Sequence, residues 1–484
     1  MKEILRKYFG YNDFHPLQEG IIKDVLNHHD VLVLMPTGGG KSLCYQLPAV
    51  VKDGITVVIS PLIALMKDQV DDLQSIGIPA AFINSTLDYK RITEIKSQLI
   101  KKHIKLLYVA PERIMMPDFF DFLQQLKISL VAIDEAHCIS EWGHDFRPEY
   151  RKLNLLKINF PAVPLIALTS TAVPQVQSDI IEHLNMTNLK IHKASMDRKN
   201  LFYQIRTGKK EMHRHLWQYI KNHPGDSGII YCQSRKSVDD LADKLQKDGI
   251  SALPYHAGLA SDIRSKNQEK FIKDDVEIIV ATIAFGMGID KPNVRYVIHC
   301  DMPKSIEGYY QETGRAGRDG LKSDCILFFS YADKIKHEYF IKQIEDEQYR
   351  KIAYEKMWAM INFCKNKSCR RKILLNYFGE KYSAHNCNMC DVCSPTRISF
   401  DSTKFNQGLF EVLRKLRKEI ADEKKVPPYI VFSDVVLKEM AAQYPQNIDG
   451  FRKINGVGEV KLAKYGKLFI EKIIGYCNTS TPLF

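Results

Sequence analysis

Between Val31 and Ser42 the chain reads Val-Leu-Val-Leu-Met-Pro-Thr-Gly-Gly-Gly-Lys-Ser, and no other stretch restricts its fold as strongly. The apolar run suits a buried strand. Thr37, Gly38, Gly39 and Gly40 form a turn without bulky side chains, and Lys41-Ser42 opens a helical pattern. That order builds a phosphate cradle: glycines let backbone N–H groups approach the oxygens, Lys41 adds a point charge, and the Ser42 hydroxyl faces Mg²⁺. The strict spacing has glycine where this chain has Met35.

A cradle of this kind belongs on a parallel sheet. From Val31 to about residue 200, strand-like runs alternate with amphipathic segments: Val31–Leu34, Thr56–Ile59, Leu106–Val109, Leu130–Ile133 and Pro164–Leu168. Alternation of this sort predicts an α/β fold with helices on both faces. A second series begins near 205, with Gly228–Tyr231, Ala252–Tyr255, Ile278–Ala281, Val294–His299 and a run from Ala316 to Ile326–Phe329. It has no cradle of its own. Two lobes with one cradle place the nucleotide in the cleft between them.

The ends of the runs carry the chemistry. Leu130-Val131-Ala132-Ile133 is followed by Asp134-Glu135-Ala136-His137. Hydrolysis of a triphosphate needs one carboxylate on the metal, the role expected of Asp134. A second must orient or deprotonate water, which suits Glu135, with His137 relaying onward. In the second lobe, Gln311-Glu312-Thr313-Gly314-Arg315-Ala316-Gly317-Arg318 sets two arginines three apart beside glycines, a pattern suited to reaching an anion across a cleft.

Eleven cysteines, an odd number, argue against a disulfide framework. Cys387, Cys390 and Cys393 are spaced for a metal, and either Cys369 or Cys364 completes four thiolates for structural Zn²⁺. Hydrophobic residues make up 45% of the chain, ample for packed cores, and a net charge of +12 permits a polyanionic partner. No apolar run reaches the ~18–20 residues of a membrane span, and the N-terminus has no signal-peptide pattern, so a cytoplasmic protein is expected.

These motifs, with Thr169-Ser170-Thr171-Ala172, Tyr255-His256-Ala257-Gly258 and Ala284-Phe285-Gly286-Met287-Gly288-Ile289, stand in the order of superfamily 2 helicases. Together with Cys138-Ile139-Ser140-Glu141-Trp142-Gly143-His144-Asp145-Phe146-Arg147-Pro148, the set closely resembles the RecQ family. The resemblance implies two tandem RecA-like lobes, here 1–205 and 206–335. A helical zinc-binding region (336–395), a linker (396–404) and a small all-α HRDC-like domain (405–484) follow. It also implies an ATP-dependent DNA helicase moving 3′→5′ in repair or recombination, with ATP, Mg²⁺ and Zn²⁺ as cofactors and DNA and DNA-repair proteins as partners. Nucleoid association would follow if the source is bacterial.

On that resemblance Tyr11, His15 and Gln18 match the adenine pocket. His15 stands where the family has Arg, so ATP binding is expected to be weaker or more pH-sensitive. Trp142, His144, Phe146 and Arg147 match the aromatic-rich loop that couples DNA to hydrolysis. Arg318 is the expected finger, with Gln311 and Arg315 beside it. The family's Cys-Arg-Arg signature, here Cys369-Arg370-Arg371, selects Cys369 over Cys364.

One departure stands out. Longer members carry a winged-helix domain, with a strand-separating hairpin, between the zinc cluster and the helical domain. Here Cys393 and Phe405 are too close for one. A translocase or annealing factor with weak unwinding is therefore the alternative expectation, and a catalytically dead DNA scaffold a remoter one.

Overall fold

The computed structural model describes residues 1–61, 63–84, 87–143, 145–286, 291–395 and 405–479. His144, Met287–Ile289 and the 396–404 linker lie outside the described residues. Seven strands form the first sheet: β1 (Asp30–Leu34), β2 (Ile55–Ile59), β3 (Ala80–Ile83), β4 (Leu106–Val109), β5 (Ile128–Ile133), β6 (Leu165–Thr169) and β7 (Leu189–Lys193). Their order is β3-β4-β2-β5-β6-β1-β7, and every pairing is parallel. The central strands are buried along their whole length, as a sheet covered by helices on both faces requires.

The second sheet holds β8 (Leu201–Thr207), β9 (Ser227–Tyr231), β10 (Ala252–Tyr255), β11 (Ile278–Ala281), β12 (Val294–His299) and β13 (Ser323–Phe329). It is again all parallel, in the order β10-β11-β9-β12-β13-β8. All seven residues of β8 pair with β13, from Leu201 opposite Ser323 to Thr207 opposite Phe329. The division at 205/206 therefore falls inside a strand of the second sheet, and by this register the second lobe begins by Leu201. The run from Ala316 likewise becomes a strand only at Ser323, because the Arg-Gly turn precedes it.

After β13 come the helices Ala332–Ile341, Glu347–Lys365 and Arg370–Tyr377. Their apolar faces (Met357, Met360, Phe363, Leu374, Phe378) share one core with Leu201, Tyr203, Tyr309 and Phe329 of the second lobe. The C-terminal helices, Gln407–Lys424 to Glu459–Thr479, enclose a separate core around Leu413, Phe432, Phe451 and Phe469. This domain sits on the second lobe: Lys418 Nζ lies 2.6 Å from Asp275, Arg414 donates to the Gly225 carbonyl, and Arg417, buried and paired with Asp434 of its own domain, lies 3.9 Å from Asp274. Among the described residues, no helix is long and apolar enough to cross a membrane.

Candidate active site and metal centre

The strand order β5-β6-β1 brings three strand ends together at the carboxyl edge of the first sheet, where open parallel sheets hold their ligands. From β1 the chain enters the glycine turn. Gly38 and Gly40 have φ of 83° and 76°, values that side chains with a Cβ rarely adopt. Gln18 closes the turn from the other side: its Nε2 donates to Gly40 O at 3.0 Å while its Oε1 accepts from His15 N at 2.8 Å. The exposed His15 ring lies beside this contact, and Tyr11 is exposed as well. Ser42 stands at the N-cap position of the helix Leu43–Val51 without a side-chain capping bond, and Lys41 Nζ turns inward, 3.2 Å from Met35 O. Burial pushes the Lys41 ammonium below its ordinary pKa.

From β5 come the carboxylates. Asp134 N donates to Ile59 O at 2.9 Å and Tyr150 Oη to Asp134 O at 3.1 Å, so the backbone here is fixed from two sides. Burial, then repulsion from Glu135, raises the Asp134 carboxyl to about 7, and burial raises Glu135 as well. Glu135 is held at φ 49°, ψ 43°, a left-handed conformation uncommon outside glycine. Its Oε2 is buried without a hydrogen-bond partner and lies 3.3 Å from His137 Nδ1. His137 Nδ1 in turn is 2.9 Å from Thr169 Oγ1 at the end of β6. Burial takes the imidazole down to about 3, so it is neutral at physiological pH.

The second lobe reaches this cluster. A Cβ at Gly38 would lie 3.8 Å from Arg318 Cγ, and one at Gly314 3.8 Å from Thr37 Cβ. Lys41, Arg315 and Arg318 all favour ionised Glu135. Three cations facing two carboxylates make the seam electropositive, and the buried carboxylate oxygen of Glu135 marks where a polar group is wanted. The residues fit a magnesium–triphosphate: oxygen ligands from Ser42 and Asp134, and cations for the phosphates.

Sequence reasoning missed Arg198, in the loop between β7 and β8. Its guanidinium donates to Thr37 O (3.3 Å) of the phosphate loop and to Gly314 O (3.0 Å), Ala316 O (2.9 Å) and Gly317 O (3.0 Å) of the arginine turn. Arg371 of the zinc region pairs with Asp197 and donates to Arg198 O (2.9 Å) and Leu201 O (2.8 Å). Nothing in Asp197-Arg198-Lys199-Asn200 as a string signals this role; it arises only when two sheets meet.

The aromatic-rich loop begins directly after His137. Gly143 packs so closely on His137 O that a Cβ would collide with it. Trp142 and Phe146 are half-buried, Trp142 against the first-lobe core and Phe146 beneath Arg151, 5.0 Å from its ring. Arg147 pairs with Asp145 and donates to Pro61 O at 3.2 Å. A second missed residue, Lys356 of the zinc region, donates to Gly143 O at 2.7 Å. It ties the loop to the helices behind it.

The sulfurs of Cys369, Cys387, Cys390 and Cys393 lie within 4.8 Å of one another, close to the ~3.8 Å edge of a tetrahedral zinc–thiolate site. Backbone amides of Met389 and Cys393 point at the Cys387 and Cys390 sulfurs, each at 3.4 Å. A hydrogen bond from Cys387 holds the Cys390 thiol down at about 5, within reach of thiolate chemistry. Cys364 is buried in the second-lobe core, apart from this cluster. The knuckle is sewn to β8: Tyr203 N donates to Met389 O and Asp391 N to Tyr203 O.

Residues 15–180 match the DEAD/DEAH box helicase family, 210–320 the helicase conserved C-terminal domain, 331–394 the RecQ zinc-binding family and 406–473 the HRDC domain. The chain is similar to "ATP-dependent DNA helicase RecQ" of Bacillus subtilis, with 37% identity over 99% of each chain. It is also similar to the protein of that name in Haemophilus influenzae, with 38% identity over 97% of this chain and 95% of the relative. The latter alignment runs over 589 positions against 484 residues here, so that relative carries a substantial insertion with no counterpart in this chain. In fold, the chain resembles Mycobacterium smegmatis helicase Lhr bound to ssDNA and AMP-PNP (TM-score 0.55, 17% identity, 75% of this chain and 58% of that one). It also resembles Mss116p bound to ssRNA and AMP-PNP (TM-score 0.57, 17% identity, 78% and 89%).

Proposed function

The chain belongs to the RecQ family and is an ATP-dependent DNA helicase of that type, and we propose that it moves 3′→5′ on single-stranded DNA by closing and opening the seam between its lobes. The supporting observation is the contact of Arg198 with both Thr37 and Gly314, which ties the phosphate loop to the arginine turn. In this reading Gly38–Ser42 and Lys41 bind the triphosphate, and Tyr11, His15 and Gln18 take the adenine. Glu135 holds the proton of the attacking water, and Arg318, with Arg315 and Gln311 beside it, meets the charge developing on the transferred phosphoryl group. Mg²⁺, when bound by Ser42 and Asp134, neutralises phosphate charge as a Lewis acid.

Coupling to DNA runs through the aromatic-rich loop, since His137 sits between Glu135 and Thr169 and its carbonyl packs on Gly143. Trp142, Phe146 and Arg147 are the groups there suited to unpaired bases and phosphates. Four thiolates around Zn²⁺ brace the second lobe without chemistry of their own. The domain bounds proposed are 1–200 and 201–335 for the lobes, 336–395 for the zinc region, and 405 onward for the HRDC domain. A cytoplasmic, DNA-associated location and partners in DNA repair complete the reading.

The missing insertion keeps the second reading alive: an ATPase that tracks single strands but separates duplexes weakly. ATP turnover with single-stranded DNA and strand separation of a 3′-tailed duplex, measured on one preparation, decide between them. Robust turnover with negligible separation favours the translocase. Faster separation of a 5′-tailed duplex refutes the polarity.

A further inference from the structure

The helix Ala332–Ile341 and its N-cap Tyr331 expose four large apolar side chains where such a helix normally shows mostly polar groups to water. Tyr331 is 51% exposed, Ile335 66%, Tyr339 65% and Phe340 55%, and Trp358 of the next helix adds 41%. They form two aromatic stations. At one, Lys334 Nζ lies 4.8 Å from the Trp358 ring centroid and 5.5 Å from that of Tyr331, with Lys365 Nζ 5.6 Å from the Tyr331 centroid. At the other, Tyr339 and Phe340 meet edge to face, 5.5 Å apart. Eight residues of helix separate Tyr331 from Tyr339, a spacing of about 12 Å.

The charges around these rings choose the occupant. Lys334, Lys336, Lys342 and Lys365 border the face; Glu338 lies 3.2 Å from Lys334 and Asp301 3.4 Å from Lys336. Protein–protein interfaces exclude lysine from their centres, whereas single-stranded nucleic acid is bound by rings interleaved with ammonium groups. Position agrees. Phe340 and the 64%-exposed Ile283 line one recess of about 200 Å³ with Gln233, Asp301 and Lys304, at the carboxyl edge of the second sheet. That edge is where open parallel sheets hold their ligands.

We propose that Tyr331, Trp358, Tyr339 and Phe340 form a stacking platform that holds unpaired DNA bases beside the second lobe. It extends the single-strand track where the zinc-binding and HRDC matches follow one another without the relative's insertion. The platform rests on the DNA-translocating reading above, and its test separates the two. Full-length wild type, the Tyr339→Ala/Phe340→Ala double variant, Trp358→Ala and Trp358→Phe are titrated with a short and a long oligothymidylate by fluorescence anisotropy, with ATPase without DNA measured alongside.

Each alanine variant should weaken long-oligomer binding by about tenfold and leave short-oligomer binding and DNA-free ATPase unchanged. Trp358→Phe should retain most of the affinity, because a ring remains. Unchanged long-oligomer affinity in both alanine variants overturns the platform while leaving the helicase reading intact. Wild type that binds neither oligomer overturns that reading itself. Sedimentation covers the rival occupant: a wild-type dimer that the alanine variants dissolve, with DNA affinity unaltered, assigns the face to a second copy of the chain and overturns the proposal.

Discussion

The guanidinium of Arg198 donates to the carbonyl oxygen of Thr37 across 3.3 Å, so the loop leading into the second sheet is fastened to the phosphate cradle of the first. Its other bonds grip the Gly314–Gly317 turn that precedes Arg318. Replacing Arg198 with Ala removes this registration and leaves the groups that hold the triphosphate in place. kcat should fall by about 100-fold, the scale of a 1 Å misplacement, with KM for ATP changed far less. Free methylguanidinium should restore part of kcat. A rise in KM alone would place Arg198 in binding.

Glu135 is strained and half-buried, with a buried oxygen lacking a hydrogen-bond partner. Glu135→Gln keeps the shape and removes the base. Turnover should drop by about 10²–10⁴-fold while a fluorescent ATP analogue binds as before. Normal turnover would remove Glu135 from the chemistry.

The raised Asp134 carboxyl gives a pH signature. In the unfolded chain this group is ionised above about pH 4, but the folded chain keeps its proton up to about 7. The folded state thus binds more protons across that window, and this site's contribution to stability falls as pH rises through it. Without nucleotide, the melting temperature should be lower at pH 8 than at pH 6, and Asp134→Asn should flatten that slope. Mg²⁺-dependent ATP binding runs the other way, strengthening as pH rises through about 7, because a metal ligand must lose its proton. His137, neutral in the folded chain down to about 3 but titrating near 6.5 when unfolded, pulls the other way between those values, so the Asp134→Asn comparison is what isolates the carboxyl.

Cys390 lies at the centre of the thiolate cluster and beside the β8 pairing. Cys390→Ser, or chelation of the metal, should loosen residues 369–395 in hydrogen exchange, because zinc binding and local folding are one equilibrium. The loosening should spread through Arg371 to Asp197 and Arg198 and lower ATP turnover as well. Zinc-free protein with undiminished protection at 369–395 would refute the link.

The cradle, the Asp-Glu-Ala-His box and the cysteine spacing were legible in the sequence because each is a local string whose backbone geometry sets its chemistry. β7 was not. Leu-Lys-Ile-His-Lys runs along a sheet edge with none of its residues fully buried, so its pattern lacks the continuous apolar signal of β1 or β5. Arg198 and Lys356 were hidden for another reason: their partners lie 116 to 215 residues away in the chain. Burial is equally invisible in the run Arg414, Lys415, Arg417 and Lys418: Arg414, Arg417 and Lys418 turn toward the second lobe or the domain's own core, leaving Lys415 exposed.

The motor account stands or falls on whether the second lobe completes the ATP site of the first. The direct measurement is ATP-driven separation of a 3′-tailed duplex by wild type and by Arg318→Ala, with ATP binding of both recorded in parallel. The expected result is a variant that binds ATP nearly as well as wild type, hydrolyses it about 10³-fold more slowly, and leaves the duplex paired. Strand separation by Arg318→Ala at the wild-type rate would contradict a seam that works by closing.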